Sequence, residues 1–154
     1  ARVFSLTSQG RDFFENQYQS LAQEAVSYLA TTFGDKAVKA FALSRANEML
    51  AKYSQTLNNA KNVEEKVEIL SNFLSKDGFA ATADKGSGPT HTIQLCQHNC
   101  PISHIASEFP EFCEVETEII GKTLGVHVTR LSTIASGSAI CTTNIPNPTS
   151  RRSA

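Results

Sequence analysis

The chain has 154 residues with 14 basic and 15 acidic side chains, a net charge of −1, four Cys, four His and no Trp, and 40% of it is hydrophobic. That length buries a real core and suits one domain, or one domain with an appended helical segment, which argues against disorder. Eight Gly and five Pro exclude a collagen-like or low-complexity chain, no apolar run nears the roughly 20 residues that span a bilayer, and the balanced charge lacks the basic stripe of a nucleic-acid-binding domain. Ala1 to Leu6 shows neither a charged nor a long apolar leader region. A cytoplasmic protein with reduced thiols and no membrane contact is therefore expected.

Val3-Phe4-Ser5-Leu6 alternates like a short strand, yet nothing upstream can pair with it, so the chain is expected to be cut at its N-terminus. From about Ser8 to Thr31, Phe14, Tyr18, Leu21, Ala25, Tyr28 and Leu29 recur at helical spacing and predict a long amphipathic helix. Gly34 breaks it, and Asp35 is expected to cap a second helix whose stripe is Val38, Phe41, Ala42, Met49, Leu50 and Tyr53. Asn62, with Glu65 at the acidic N3 position, starts a third helix with the stripe Val63, Val67, Leu70 and Leu74, and Gly78 fits the position past its end.

Beyond Phe79 the pattern changes. Residues 79–83 and 90–95 flank a Gly- and Pro-rich turn at 85–89 and predict a hairpin. Pro101 and Pro110 each suit the first turn of a helix, the second carrying Phe112, Val115, Ile119, Ile120 and Leu124 up to Gly125. Two strands follow at 126–131 and 138–145 around a turn at Ser136-Gly137, and Pro146 and Pro148 end the ordered part. The expected fold class is α+β: an N-terminal helical segment (1–78), a small antiparallel sheet with two helices in strand-strand-helix-helix-strand-strand order (79–146), and a loose tail (147–154).

All four cysteines fall in the second unit, at Cys96, Cys100, Cys113 and Cys141. Cys96 closes a strand, Cys100 precedes a helix, Cys113 lies in the first turn of the next helix, and Cys141 sits on the last strand. Elements of that size can bring all four to one end of a small sheet. A helix N-terminus favours the thiolates of Cys100 and Cys113, and a Pro following a ligand Cys, as in Cys100-Pro101, recurs in iron-sulfur proteins. No Cys-x-x-Cys pair is present, which disfavours a zinc ribbon or a thioredoxin-like motif. Four small buried hydrophobes remain the plain alternative. Of the histidines His91, His98, His104 and His127, His98 lies two residues from both Cys96 and Cys100, and His127 lies on a strand beside the cysteines. Cys100 with His98 or His104 mimics a thiol-imidazole pair, but no nucleophile elbow or phosphate-cradling Gly loop accompanies it. Glu108, Glu111, Glu114, Glu116 and Glu118 are explained by a solvated helix face, so the chain reads as a non-enzyme.

Taken together, His98-Asn99-Cys100-Pro101-Ile102-Ser103, Phe109 to Glu118, Leu124 to Leu131 and Gly137 through Cys141-Thr142-Thr143 resemble the C-terminal half of the SufR-type repressors, iron-sulfur-dependent regulators of the suf cluster-assembly operon, particularly their cyanobacterial members. Val3 to Gly10 resembles the closing strand of the wing of a winged helix-turn-helix domain, running into a helix that supports dimerisation in such repressors. The resemblance implies that Cys100, Cys113 and Cys141 ligate a 4Fe-4S cluster, with Cys96 the natural fourth ligand and His127 or His98 the alternatives. It implies a homodimer that reaches operator DNA through a domain upstream of this chain, with the cluster-loaded form repressing. A zinc-stabilised structural module or a small-ligand-binding regulatory domain are the competing readings.

Overall fold

The structure is a computed structural model and describes residues 3–5, 7, 10, 17–85 and 92–147. In chain order it comprises α1 (Tyr18–Phe33), α2 (Asp35–Ala51), the short α3 (Ser54–Asn58), α4 (Val63–Lys76), β1 (Ala81–Lys85), β2 (Thr92–Gln97), α5 (Ser103–Glu108), α6 (Glu111–Leu124), β3 (Thr129–Ser132), a 3-10 turn (Ile134–Ser136) and β4 (Cys141–Pro146). The architecture is α+β, with helices preceding one antiparallel sheet of strand order β1-β2-β4-β3. The hairpin turn at 86–90, His91, the tail from Pro148 onward, and most of 6–16, which holds the wing residues Leu6, Ser8 and Gln9 and the predicted start of the first helix, lie outside the described residues.

Local chemistry accounts for the boundaries. The Asn62 side chain accepts the Glu65 N–H at 2.8 Å while the Glu65 carboxylate accepts the Lys61 N–H at 2.7 Å, a reciprocal cap that starts α4. Gly78 follows that helix at φ +91°, where a Cβ would lie 3.3 Å from Pro101 Cγ. Gly125 closes α6 in the left-handed region, and the N–H groups of Gly125 and Val126 return to the carbonyl of Gly121. Those bonds hold Val126 against the helix end, so β3 begins at Thr129 rather than at 126 as the alternation predicts. Two further expectations change, and one short helix is added. Val3 to Ser5 form no strand, Asp35 sits inside the first turn of α2 with Gly34 in the cap position, and α3 carries no apolar periodicity long enough to be read from sequence.

Helices cover one face of the sheet. Ala81, Ile93, Leu95 and Ile145 meet Val67, Leu70 and Leu74 of α4 and Ile120 and Leu124 of α6 in a first core. Hydroxyls of Ser71 and Ser75 on α4 both donate to the Ala81 carbonyl, at 3.1 and 2.9 Å, tying that helix to the edge of β1. A second core joins Val26 of α1, Val38, Ala42 and Ala46 of α2, Ala106 of α5, and Phe112, Val115 and Ile119 of α6. Thus α4, from the helical part of the sequence, belongs to the core of the sheet, and α6, from the sheet part, belongs to the core of the helices. On α1 the predicted stripe points outward: Tyr18, Leu21 and Tyr28 are 76%, 62% and 67% exposed, and Val26 is the buried residue of that helix.

Candidate functional site

Strand alternation sorts the cysteines before any side chain is considered. Gln97 of β2 stands opposite Cys141 of β4, and Cys96 stands opposite Thr142. Neighbours along a strand project to opposite faces and cross-strand partners to the same one. Cys141 and Gln97 therefore share the helix-covered face, and Cys96 lies on the other. There Cys96 sits between the Thr82 and Thr142 positions, and His98 reaches Thr82 at 3.1 Å on that same side. The structure thus does not bring Cys96 to the other three cysteines, because one residue of register separates the two faces.

Cys100, Cys113 and Cys141 come from three different elements and lie within electrostatic reach of one another. Cys100 is in the loop that leaves β2, held to the end of α4 by the Asn99 side chain donating to the Gly78 carbonyl at 2.7 Å and the Asn99 N–H donating to Phe79 O at 3.0 Å. Cys113 is in the first turn of α6, and Cys141 opens β4. Backbone donors already face two of the sulfurs: the Ile134 N–H lies 3.2 Å from Cys141 Sγ, and the Ile102 N–H bonds to Cys100. Such N–H groups stabilise a thiolate or a cluster-bound sulfur and tune its potential.

Beneath the thiols lies a polar network absent from the sequence reading. Arg130 Nε donates to Thr117 Oγ1 at 3.1 Å, one terminal nitrogen to Gln97 Oε1 at 2.9 Å and the other to Glu116 Oε2 at 3.1 Å. Gln97 Nε2 closes the ring onto Glu116 Oε1 at 2.8 Å. The Arg130 and Glu116 side chains are 11% and 18% exposed, so the pair is largely withdrawn from water. A signal was present in the chain: Val126, Val128 and Arg130 alternate, and the apolar members are the inward ones, so Arg130 falls on the inward face. Glu116, by contrast, is indistinguishable in sequence from its four acidic neighbours.

Burial pushes the Cys100 thiol up, partly offset by the Ile102 N–H. Burial, reinforced by Glu116 and opposed by Arg130, pushes Cys113 up to about 11. Cys96 is raised by burial and by Asp84, with the Thr142 hydroxyl pulling the other way. Among the described residues no three His, Cys, Asp or Glu side chains converge closely enough to hold a metal ion. His104 and His127 are exposed. His127 lines a groove of about 1020 Å³ between α6 and the β3 region, whose wall also includes Cys113, Lys122, Val128 and Arg130. A smaller cavity of about 40 Å³ is lined by Cys100, Cys113 and Glu116 together with Arg45, Met49 and Phe79. No helix among the described residues is long and apolar enough to cross a membrane.

No protein-family model matches the chain, and no curated protein matches it closely enough to be called a relative. Among solved structures, the chain is similar to an H-NOX protein from S. oneidensis in its Fe(II)NO ligation state, with a TM-score of 0.54 over 86% of this chain and 77% of that one, at 12% sequence identity. At that identity the likeness is one of fold alone.

Proposed function

We propose that this chain is the iron-sulfur-sensing part of a transcriptional repressor that controls cluster-assembly genes, with Cys100, Cys113 and Cys141 as ligands of a 4Fe-4S cluster. The observation that carries the reading is the assembly of three thiols, from a loop, a helix and a strand, on one side of the sheet, with N–H donors already directed at two sulfurs. The donor set suits the group: iron in such clusters takes thiolates, and a nearby guanidinium offsets their negative charge. In a cubane each thiolate binds a different iron, whereas a single zinc ion draws its donors to about 2.3 Å from one centre, so three thiols held on separate elements favour a cluster over zinc.

A bound cluster supplies a covalent, oxygen-sensitive cross-link between its ligands. The chain supplies what that link joins. Cys100 is fastened to the end of α4, Cys113 sits on the helix that packs along α2, and Cys141 sits on a central strand. Loading therefore favours one arrangement of the helices relative to the sheet, by the linkage that makes metal binding a folding free energy. In this reading the loaded form binds operator DNA through an upstream domain, and two copies pair through the outward stripe of α1.

Iron and acid-labile sulfide measured on anaerobically purified protein test the assignment. A brown sample that loses iron in Cys100→Ser, Cys113→Ser and Cys141→Ser, and whose DNA-binding form loses operator affinity with the cluster, is expected. A colourless zinc-containing sample, or equal operator affinity with and without cluster, overturns it. The groove of about 1020 Å³ beside Cys113 favours a second reading, a small-ligand-binding regulatory domain. That reading predicts that regulation survives all three Ser substitutions.

A further inference from the structure

An α-helix turns about 100° per residue, which divides the outer side of α1 into two neighbouring faces. Leu21, Glu24 and Tyr28 share one of them, and all three are exposed. Ala22, Val26 and Leu29 share the next, with Ala25 on the boundary. This second face is hollow: with Phe41 and Arg45 of α2 and Phe112 of α6 it lines an apolar groove of about 440 Å³. The helix thus carries a ridge and a slot side by side, and their charges are opposite. Glu24 is the one charged residue of α1, and Arg45 is the one charged residue that lines the groove. Both are exposed, and neither makes an ion pair among the described residues.

A ridge beside a slot selects the symmetry of self-pairing. When two copies of a helix pair antiparallel about a two-fold axis perpendicular to them, like flanks adjoin: slot meets slot, and Glu24 stands on the same side as the partner's Glu24. When they pair parallel about a two-fold axis along them, opposite flanks adjoin and residues of the same number lie at the same height. The parallel pair alone seats a ridge in a slot twice. Arg45 lines the groove beside Ala22, Ala25 and Val26, level with position 24, so each Glu24 meets the partner's Arg45.

We infer that a second copy of this chain docks by parallel pairing of α1, with the ridge of Leu21, Glu24 and Tyr28 seated in the groove beside Arg45 and the Glu24–Arg45 pair formed across the interface in both directions. The inference rests on the α1 pairing proposed above and adds its orientation and its ion pairs. Parallel pairing sets the two Tyr18 ends side by side, so that domains ahead of α1 face one stretch of DNA.

Sedimentation equilibrium on the full chain tests it. Glu24→Arg and Arg45→Glu are each expected to weaken self-association by about tenfold or more, because each places like charges at both contacts. Mixing the two variants restores wild-type affinity, since in the mixed dimer one contact joins the two introduced charges and the other the two native ones. A role of either residue within its own chain is not repaired by mixing. If the mixture associates no more tightly than the single variants, or either variant alone matches the wild type, the parallel docking falls, while the α1 pairing stands as long as Leu21→Glu combined with Tyr28→Glu gives a monomer. If the wild-type chain is monomeric at every concentration, or that double variant keeps the dimer mass, the α1 pairing falls as well.

Discussion

Burial and the neighbouring Glu116 carboxylate keep the Cys113 thiol protonated until about pH 11 in the cluster-free protein. The thiolate is the nucleophile, so iodoacetamide is expected to label Cys113 far more slowly than an unhindered thiol at pH 8, with the rate climbing as pH approaches 11, as mass spectrometry of the alkylated peptide would read. A pH-independent rate would contradict that environment. Two residues along β4 from Cys141, Thr143 is fully buried and its hydroxyl has no hydrogen-bond partner. Replacing it with the near-isosteric Val removes an unsatisfied polar atom, so Thr143→Val is expected to raise stability by about 1 kcal/mol in a urea titration. Side chains such as these mark the limit of what the sequence discloses. The alternation through Val126, Val128 and Arg130 identifies an inward Arg, but Glu116 becomes special only through Gln97 and Arg130, which are 19 and 14 residues away in the chain.

Helix α4 was readable from end to end because its signals are local: Asn62 and Glu65 cap one end, and Gly78 turns the chain at the other. Gly78 is also where the cysteine-bearing loop presses against the helix, through Pro101 Cγ and the Asn99 side chain. Gly78→Ala meets both a left-handed backbone and a tight contact, and is expected to cost about 1–2 kcal/mol, seen as a lower thermal midpoint of the cluster-free protein. The same substitution at Gly34, where nothing lies within 4 Å of the added Cβ, meets the backbone cost alone. Strand β2 shows why the cysteine grouping was harder to read. Leu95, Cys96 and Gln97 are all buried, so burial does not reveal which of the two faces carries the site. The register with β4 does, and register is a property of two strands rather than of one segment.

At the scale of the whole molecule, the apolar stripe of α1 is an exposed face among the described residues. Tyr18, Leu21 and Tyr28 stand outward with Ala25 between them, at the spacing of a helix-pairing seam, and Glu24 is the one charged residue in the helix. Leu21→Glu combined with Tyr28→Glu is expected to leave the fold intact and to shift the protein to a monomer in sedimentation equilibrium. An unchanged mass would separate this stripe from assembly. The periodicity of α1 announced an apolar face but not whether it turns inward or outward, because both uses share one pattern. Helix α6 belongs to both cores, and this has a calorimetric corollary. A chain whose two hydrophobic centres are welded through one helix has no cut point between residues 78 and 79, so its cluster-free form melts in a single transition with equal calorimetric and van't Hoff enthalpies. A sensor built that way needs no hinge: whatever grips the first turn of α6 is felt at once by the strands and by the helices.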